Sequence, residues 1–183
     1  MDSGRDGASV WGFDNTMAKK MTVLPLTDSM VMTARITAFM AEYVHAIDAD
    51  RLEDWPEFFT EDAVYQVRTR ENYDRGLPLS VMSCRGRGML SDRISALRTA
   101  NVFEPHVYCH VIGAVRLLEC GERRARTESN FQVIRTMVDG SMSIFACGRS
   151  LDTFSVSDEA LQLSERIVVL DSRQIDTLLV IPL

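Results

Sequence analysis

Cysteine and histidine are scarce in this sequence, and the few that occur are widely spaced. The four cysteines, Cys84, Cys109, Cys120 and Cys147, form no CxxC or CxH pair. Zinc, iron–sulfur and Rieske sites need clustered thiolates or imidazoles. The spacing therefore predicts no metal or cofactor site in this chain. It predicts instead four reduced, mostly buried cysteines.

Clustered positive charge and long apolar runs are lacking too. The formal net charge is −6 and the sequence pI is about 5.1. Nucleic acids and anionic membranes attract clustered positive charge, so neither is expected as a partner. No apolar run is long enough to span a bilayer. The first 20 residues lack the basic-then-apolar order of a signal peptide, and we expect a cytoplasmic protein.

The remaining sequence predicts one domain after a tail. Residues 1–28 are rich in Gly, Ser, Asp, Asn and Thr and show no hydrophobic period, which predicts a flexible N-terminal tail. Residues 29–183 contain no repeat and no linker that would divide them. A chain of 183 residues has room for one real core. We therefore expect a single domain over residues 29–183.

The first half of that domain has helical patterns. Thr27, Asp28 and Ser29 are good N-cap residues for a long helix. Its apolar positions recur at the 3-and-4 spacing of one helical face, at Ile36, Phe39, Met40, Tyr43, Val44 and Ile47. Short helices are predicted over 51–59 and 86–98. Between them we expect a strand over 63–70, a loop over 71–78 and a short strand over 79–84.

The stretch from His106 to Leu118, HVYCHVIGAVRLL, predicts a central strand of a curved sheet. Side chains alternate across a strand. His106, Tyr108 and His110 therefore share one face, and Val107 lies on the other. The histidine-bearing face is predicted to line a pocket, a subunit contact or the core, and the sequence leaves these three alternatives open.

The second half of the chain has the alternation of antiparallel strands. Strands are predicted over 123–138, 141–154 and 161–170, with Asp139-Gly140 as a two-residue hairpin turn between the first two. In the last strand Leu161, Leu163, Ile167 and Val169 are expected on one side. Because the helices come first in the chain and an antiparallel meander comes last, the fold class is α+β. We expect a strongly bent sheet that wraps round the first helix and forms a cone.

Four stretches together resemble the small, or β, subunit of aromatic-ring-hydroxylating dioxygenases. They are DADRLEDWPEFFTEDAVYQV, DRISALR, HVIGAVRL and SERIVVLDSRQIDTLLVIPL, at residues 48–67, 92–98, 110–117 and 164–183. The resemblance covers almost everything after residue 29. Details such as WPEFFTEDAVY, NYDRGLP and the ending DTLLVIPL are most similar to the terephthalate and salicylate-type branch.

The resemblance implies a cystatin-like cone fold, as in nuclear transport factor 2, with N-terminal helices on a mainly antiparallel sheet. It implies a non-catalytic assembly subunit that trimerises and holds catalytic α subunits in an α3β3 hexamer for aromatic catabolism. The Rieske [2Fe–2S] cluster and the mononuclear Fe(II) are expected in the α subunit. The histidine spacing also argues against a metal site in this chain. On a strand, His106 and His110 would lie about 13 Å apart at roughly 3.3 Å per residue, which is too far to share one metal ion.

A stand-alone enzyme is the alternative. Scytalone dehydratase and ketosteroid isomerase have a similar architecture and move protons in the mouth of the cone. For a lyase or isomerase acting on a small cyclic substrate, the candidate catalytic residues are Asp48, Tyr65, His106 and His110, with Tyr43 and Tyr108 as further candidates. The competing interpretation is that these side chains pack in the interior with hydrogen-bonded polar tips.

Overall fold

The helices lie on one face of a curved sheet. The computed structural model describes residues 26–100, 104–158, 160–172, 179 and 181–183. The helical elements are α1 (Leu26–Asp48), a 3₁₀ helix (Leu52–Phe58), α2 (Arg70–Asp74) and α3 (Arg87–Thr99). The strands are β1 (Phe59–Thr69), β2 (Met82–Arg85), β3 (His106–Ile112), β4 (Arg116–Cys120), β5 (Arg124–Met137), β6 (Met142–Val156) and β7 (Leu161–Leu170).

In the described part of the chain the strands form one sheet of seven. Its order is β2-β1-β7-β6-β5-β3, and β4 also pairs with β5. Only the β1–β7 pair is parallel among these strand pairs. The mainly antiparallel α+β architecture that the sequence predicts is therefore confirmed. Residues 1–25 of the predicted tail lie outside the described residues, and residues 26–28 already belong to α1.

The predicted long helix supplies the apolar layer on the sheet. Ile36, Met40, Tyr43 and Ile47 of α1 are buried at the expected spacing. The 3₁₀ helix contains Pro56, in keeping with the short segment predicted there. Trp55 packs edge-on against Tyr65 at 5.2 Å between ring centroids. Aromatic rings thus join α1, the 3₁₀ helix and β1 into one core.

The prediction of one central strand over residues 106–118 is wrong. The segment forms two strands, β3 and β4, separated at 113–115. Both pair with β5, with β3 against residues 131–137 and β4 against residues 125–128. β3 therefore lies at an edge of the sheet. Between the two strands, the Gly113 N–H donates to the main-chain oxygen of Asn130 in β5 at 2.7 Å.

Two further predictions are corrected by the structure. The predicted loop over 71–78 begins with α2, whose first turn is capped by the Thr69 hydroxyl accepting from the Asn72 N–H at 3.3 Å. In β7, Ile167 was predicted on the same side as Leu163, but it is only partly buried, and Arg166 and Val168 are buried instead. An irregularity in the β6–β7 register between Thr153 and Phe154 shifts the alternation.

The cysteines are less buried than predicted. All four are free, but only Cys84 is buried, and Cys109 is exposed. Cys109 lies on the outward face of β3, opposite Ile134 of β5. The expectation of mostly buried cysteines is therefore wrong for a sheet whose outer face is open.

Candidate functional site

Two of the four candidate catalytic residues, Asp48 and His110, are in direct contact. Asp48 is the last residue of α1, and His110 lies in the middle of β3 on its inward face. Asp48 Oδ1 lies 2.6 Å from His110 Nδ1, and Asp48 Oδ2 accepts the main-chain N–H of His110 at 2.9 Å. In the neutral ring, this contact favours the tautomer with the proton on Nδ1, which has Nε2 as the acceptor.

The surroundings of His110 decide what this pair can do. The His110 side chain is 1% exposed, whereas that of Asp48 is 20% exposed. His110 Nε2 is buried and has no hydrogen-bond partner among the described residues. A general base must reach the proton that it abstracts. The pair has the composition of an acid–base dyad, but its basic nitrogen faces packed protein.

The third candidate, His106, lies in a neighbouring cleft. Its Nδ1 lies 2.7 Å from the main-chain oxygen of Glu104, and its ring lies 4.7 Å from that of Tyr108. The cleft has a volume of about 360 Å³. Asp48 is the link between this cleft and His110. The lining residues are Ile47, Asp48, Asp50, Leu97, Arg98, Pro105, His106, Val107, Tyr108 and Ile181.

The fourth candidate, Tyr65, is placed elsewhere, in the core of the molecule. Its hydroxyl accepts the main-chain N–H of Leu183 at 3.0 Å. The Tyr43 hydroxyl donates to the main-chain oxygen of Leu183 at 3.1 Å and accepts from Trp55 Nε1 at 2.8 Å. Leu183 therefore provides a hydrogen-bond partner for both phenols. Burial raises the pKa of both tyrosines, so both hydroxyls stay protonated.

The sequence did not predict the buried ion pair that lies next to these tyrosines. Asp152 of β6 and Arg166 of β7 are directly opposite in the antiparallel register. Arg166 Nη1 lies 2.9 Å from Asp152 Oδ2, and both side chains are 1% exposed. The Arg166 guanidinium also lies 4.6 Å from the centroid of the Tyr43 ring. The sequence pattern does not indicate this pair, because the register irregularity between β6 and β7 shifts the alternation of inward and outward side chains before Arg166.

Most of these buried polar groups bond to other groups of the described chain. The tyrosine hydroxyls bond to Leu183, Asp152 binds both Arg166 and the Ser150 hydroxyl, and the side chain of His110 is buried. Among the described residues, no group of three His, Cys, Asp or Glu side chains lies close enough to hold a metal ion. Within the described ranges, no helix is long and apolar enough to cross a membrane. The polar groups inside the cone serve mainly to hold elements together.

The arginines of α3 also bind within the chain. Arg98 pairs with Asp50 and Glu53, each at 2.8 Å. Arg93 donates to the main-chain oxygen of Leu179. In this structure they fix the end of α1 and the C-terminal residues against α3.

The outer face of the sheet is more apolar than a solvated sheet face usually is. Paired residues of neighbouring strands share a face, and the pairing joins Cys109 to Ile134 and Ile134 to Ile144. The most exposed of the large apolar side chains on or beside this face are Val107, Val111, Val138, Met142 and Ile144. Contiguous exposed apolar surface of this kind is typical of a protein–protein contact.

Comparisons with known proteins agree with this distribution. A family model described as "Ring hydroxylating beta subunit" matches residues 43–177. The β2 subunit of the terminal oxygenase component of terephthalate 1,2-dioxygenase from Comamonas sp. is 42% identical over 154 residues, which are 84% of this chain and 100% of that protein.

Solved structures give the same result. The β subunit assigned to an aromatic-ring-hydroxylating dioxygenase of Novosphingobium aromaticivorans is 38% identical, with a TM-score of 0.78 over 85% of this chain and 99% of that one. An NTF2-like protein with a cystatin-like fold from the same organism has a TM-score of 0.58 at 17% identity over 80% of this chain and 86% of that one, which shows the fold alone. The cone fold and the family resemblance are confirmed, and the chain belongs to the β subunits of ring-hydroxylating dioxygenases.

Proposed function

We propose that this chain is a non-catalytic assembly subunit that trimerises and holds three catalytic α subunits in an α3β3 hexamer. One observation supports this role more than any other. Among the described residues, Leu183 bonds to both Tyr43 and Tyr65 in the interior, while Met142 and Ile144 are exposed outside. A binding site should be open and convergent, and an assembly subunit should have apolar outer surface.

The proposal places the redox chemistry in the partner. The Rieske [2Fe–2S] cluster and the mononuclear Fe(II) belong to the α subunit, and this chain supplies no ligand to either. The absence of clustered ligands among the described residues is consistent with that division. The expected acceptor of oxygen is an aromatic carboxylate, since the relative from Comamonas is a terephthalate dioxygenase subunit.

The proposal also includes the cellular location of the complex and the domain organisation of this chain. The complex acts in the cytoplasm, without nucleic acid or membrane as a partner. Residues 1–28 form a tail, and residues 29–183 form one cone domain. The net charge of −6 supports the absence of an anionic partner.

A stand-alone lyase or isomerase is the second candidate, and the Asp48–His110 contact at 2.6 Å favours it. In that reading His110 removes a proton from a small cyclic substrate and Asp48 stabilises the imidazolium. Two observations argue against the stand-alone enzyme. Nε2 of His110 is buried, and Tyr65 lies in the core, away from the cleft that Asp48 and His106 share.

Co-purification separates the two candidates. The tagged full chain is expressed with its catalytic α subunit, and the purified material is assayed for oxygen consumption with terephthalate. An assembly subunit should carry α through purification, and Asp48→Asn should leave turnover per iron centre unchanged. If α does not co-purify, and the chain alone shows a proton-transfer activity that Asp48→Asn removes, the assembly role is wrong.

A further inference from the structure

A groove lies at the start of α1, where this helix meets the end of β4 and the turn between β6 and β7. It has a volume of about 450 Å³, and we name it the α1 groove. Met32 and Val156 line it and are each 8% exposed, so they form an apolar base. Val31 lines it as well and is 62% exposed. The α1 groove therefore presents apolar surface that the described part of the chain leaves uncovered.

Acidic side chains surround this apolar base. Asp28, Glu122 and Asp158 line the α1 groove and are exposed. Asp28 lies in the first turn of α1, where the helix dipole favours a carboxylate. Glu122 and Asp158 lie on the turns that follow β4 and β6, and neither forms an ion pair with another described residue. Arg35 also lines the groove, and its Nη2 donates to the main-chain oxygen of Ser157 at 2.9 Å. Three carboxylates and one guanidinium give the groove a net negative charge.

The chain contains a segment of complementary chemistry directly before α1. Residues 11–21 read WGFDNTMAKKM and combine Trp11 and Phe13 with the basic pair Lys19 and Lys20. They lie outside the described residues, which begin at residue 26 with α1 itself. The chain therefore enters α1 beside the groove. Apolar side chains suit its base, and complementary charges favour the correct partner and orientation.

The length of the connection allows the segment to reach the groove. At roughly 3.3 Å per residue, the stretch from Lys20 to Leu26 spans roughly 20 Å when extended. The α1 residues that line the groove, from Asp28 to Arg35, extend only about 10 Å along the helix at about 1.5 Å per residue. The chain can therefore turn back along the first two turns of α1 without any change in the described fold.

We propose that residues 11–21 bind in the α1 groove of the same molecule. The aromatic side chains pack on Val31 and the apolar base, and Lys19 and Lys20 lie beside Glu122 and Asp158. The bound segment covers apolar surface at the start of α1 and neutralises the acidic rim. Residues 11–21 precede residues 43–177, which the family model matches, so family membership does not imply this contact. The inference does not rest on the assembly role.

Trypsin digestion of the folded full chain tests the contact. Trypsin cleaves after lysine, so the cleavage rate after Lys19 and Lys20, followed by mass spectrometry, measures how often the segment leaves the groove. A synthetic peptide of residues 11–25 gives the rate for the unbound segment. The full chain should be cleaved at least about fivefold more slowly than the peptide, which is the factor that a modest stabilisation produces.

A matched pair of variants locates the binding site. Val31→Glu places a charge in the α1 groove and should raise the cleavage rate towards that of the peptide. Met30→Glu is the control, because Met30 is 64% exposed on the same turn of α1 but does not line this groove. Its rate should equal that of the wild type. Equal rates for the two variants, or a wild type cleaved as fast as the peptide, would overturn the inference.

A charge change on a distant turn covers the case in which Val31→Glu disturbs the helix. Glu122→Lys repels the two lysines and should also raise the cleavage rate. Glu119→Lys is its control, since Glu119 pairs with Arg126 and does not line the groove. An unchanged rate in Glu122→Lys would contradict the proposed charge contact.

Other occupants of the groove give different results. Protection that is lost on dilution would assign residues 11–21 to the groove of another copy, and protection that requires the α subunit would assign the groove to that partner. Either result would overturn the inference. Co-purification with α reports separately on the proposed function, so a chain that binds α but leaves its lysines unprotected refutes only the contact proposed for residues 11–21.

Discussion

Asp48 holds His110 at two points, through the ring nitrogen at 2.6 Å and through the main-chain N–H at 2.9 Å. The contact joins the last residue of α1 to the middle of an edge strand. Among the described strands β3 pairs with β5 alone, so such an anchor fixes β3 on the helix layer. The outward face of the same strand presents Val107 and Val111. The pair therefore supports the surface that we assign to assembly.

Removing that anchor should destabilise the fold. Asp48→Ala leaves the main-chain N–H and the ring of His110 without their acceptor, which typically costs about 1–3 kcal/mol for buried groups. Asp54→Ala is the control, because Asp54 forms an exposed ion pair with Arg51 and such pairs contribute about 0–1 kcal/mol. Urea denaturation measures the free energy of unfolding of both variants. Equal stabilities of the two variants would show that the Asp48 contact contributes nothing.

The buried ion pair gives a second prediction. Arg166→Met leaves Asp152 buried without its cation, and breaking a buried pair costs about 3–5 kcal/mol. The double variant Asp152→Leu with Arg166→Met removes both charges and should be more stable than Arg166→Met alone. Urea unfolding of the single and double variants forms the cycle. A double variant that loses the sum of the two single losses would mean that the two charges do not interact.

The C-terminal residues should be part of the core. Leu179 and Leu183 are 4% and 2% exposed, and truncating a buried leucine costs about 2–5 kcal/mol. Deletion of Leu178–Leu183 should therefore lower the melting temperature and leave the hydroxyls of Tyr43 and Tyr65 without their bonds to Leu183. Leu183→Ala should lose part of the same stability. A truncated chain that melts and assembles as the wild type does would contradict this packing.

Alkaline pH should weaken the fold through the buried phenols. Burial raises the pKa of Tyr65 and of Tyr43 above their usual value. The unfolded chain then releases these protons first, so stability is full below about pH 10 and falls as the pH rises further. In thermal melts between pH 8 and 11, Tyr65→Phe should show a shallower decline than wild type. Tyr73→Phe, changed at a partly exposed residue, is the control, and an identical slope for all three proteins would contradict the role of burial.

The sequence was sufficient for the elements whose hydrophobic period is long and regular. The face of α1 that contains Ile36 and Tyr43 was predicted because a 3.6-residue period leaves few alternatives. The alternation along β5 is regular as well, and Phe131 and Val133, two positions apart, are both buried. The place of the hairpin followed from turn chemistry, but the turn is longer than the two residues predicted. The Gly140 N–H donates to the main-chain oxygen of Met137 at 2.9 Å, and Gly140 has a φ of +84°.

The rest depended on pairing between distant parts of the chain. Local alternation cannot show that β5 takes both β3 and β4 as partners, so His106–Leu118 was predicted as one strand. The register irregularity between β6 and β7 hid the inward position of Arg166. Asp48 and His110 were both named as candidates, but 62 residues separate them, and only the docking of α1 on β3 brings them together.

The mass of the assembled complex tests the central claim most directly. The full chain is co-expressed with its catalytic α subunit, and the purified complex is measured by native mass spectrometry together with its visible absorption. An α3β3 mass with the red-brown colour of a Rieske cluster is the predicted result. A colourless monomer or dimer of this chain that does not bind α would contradict the assembly role and would make Asp48 and His110 the starting point for an enzyme site.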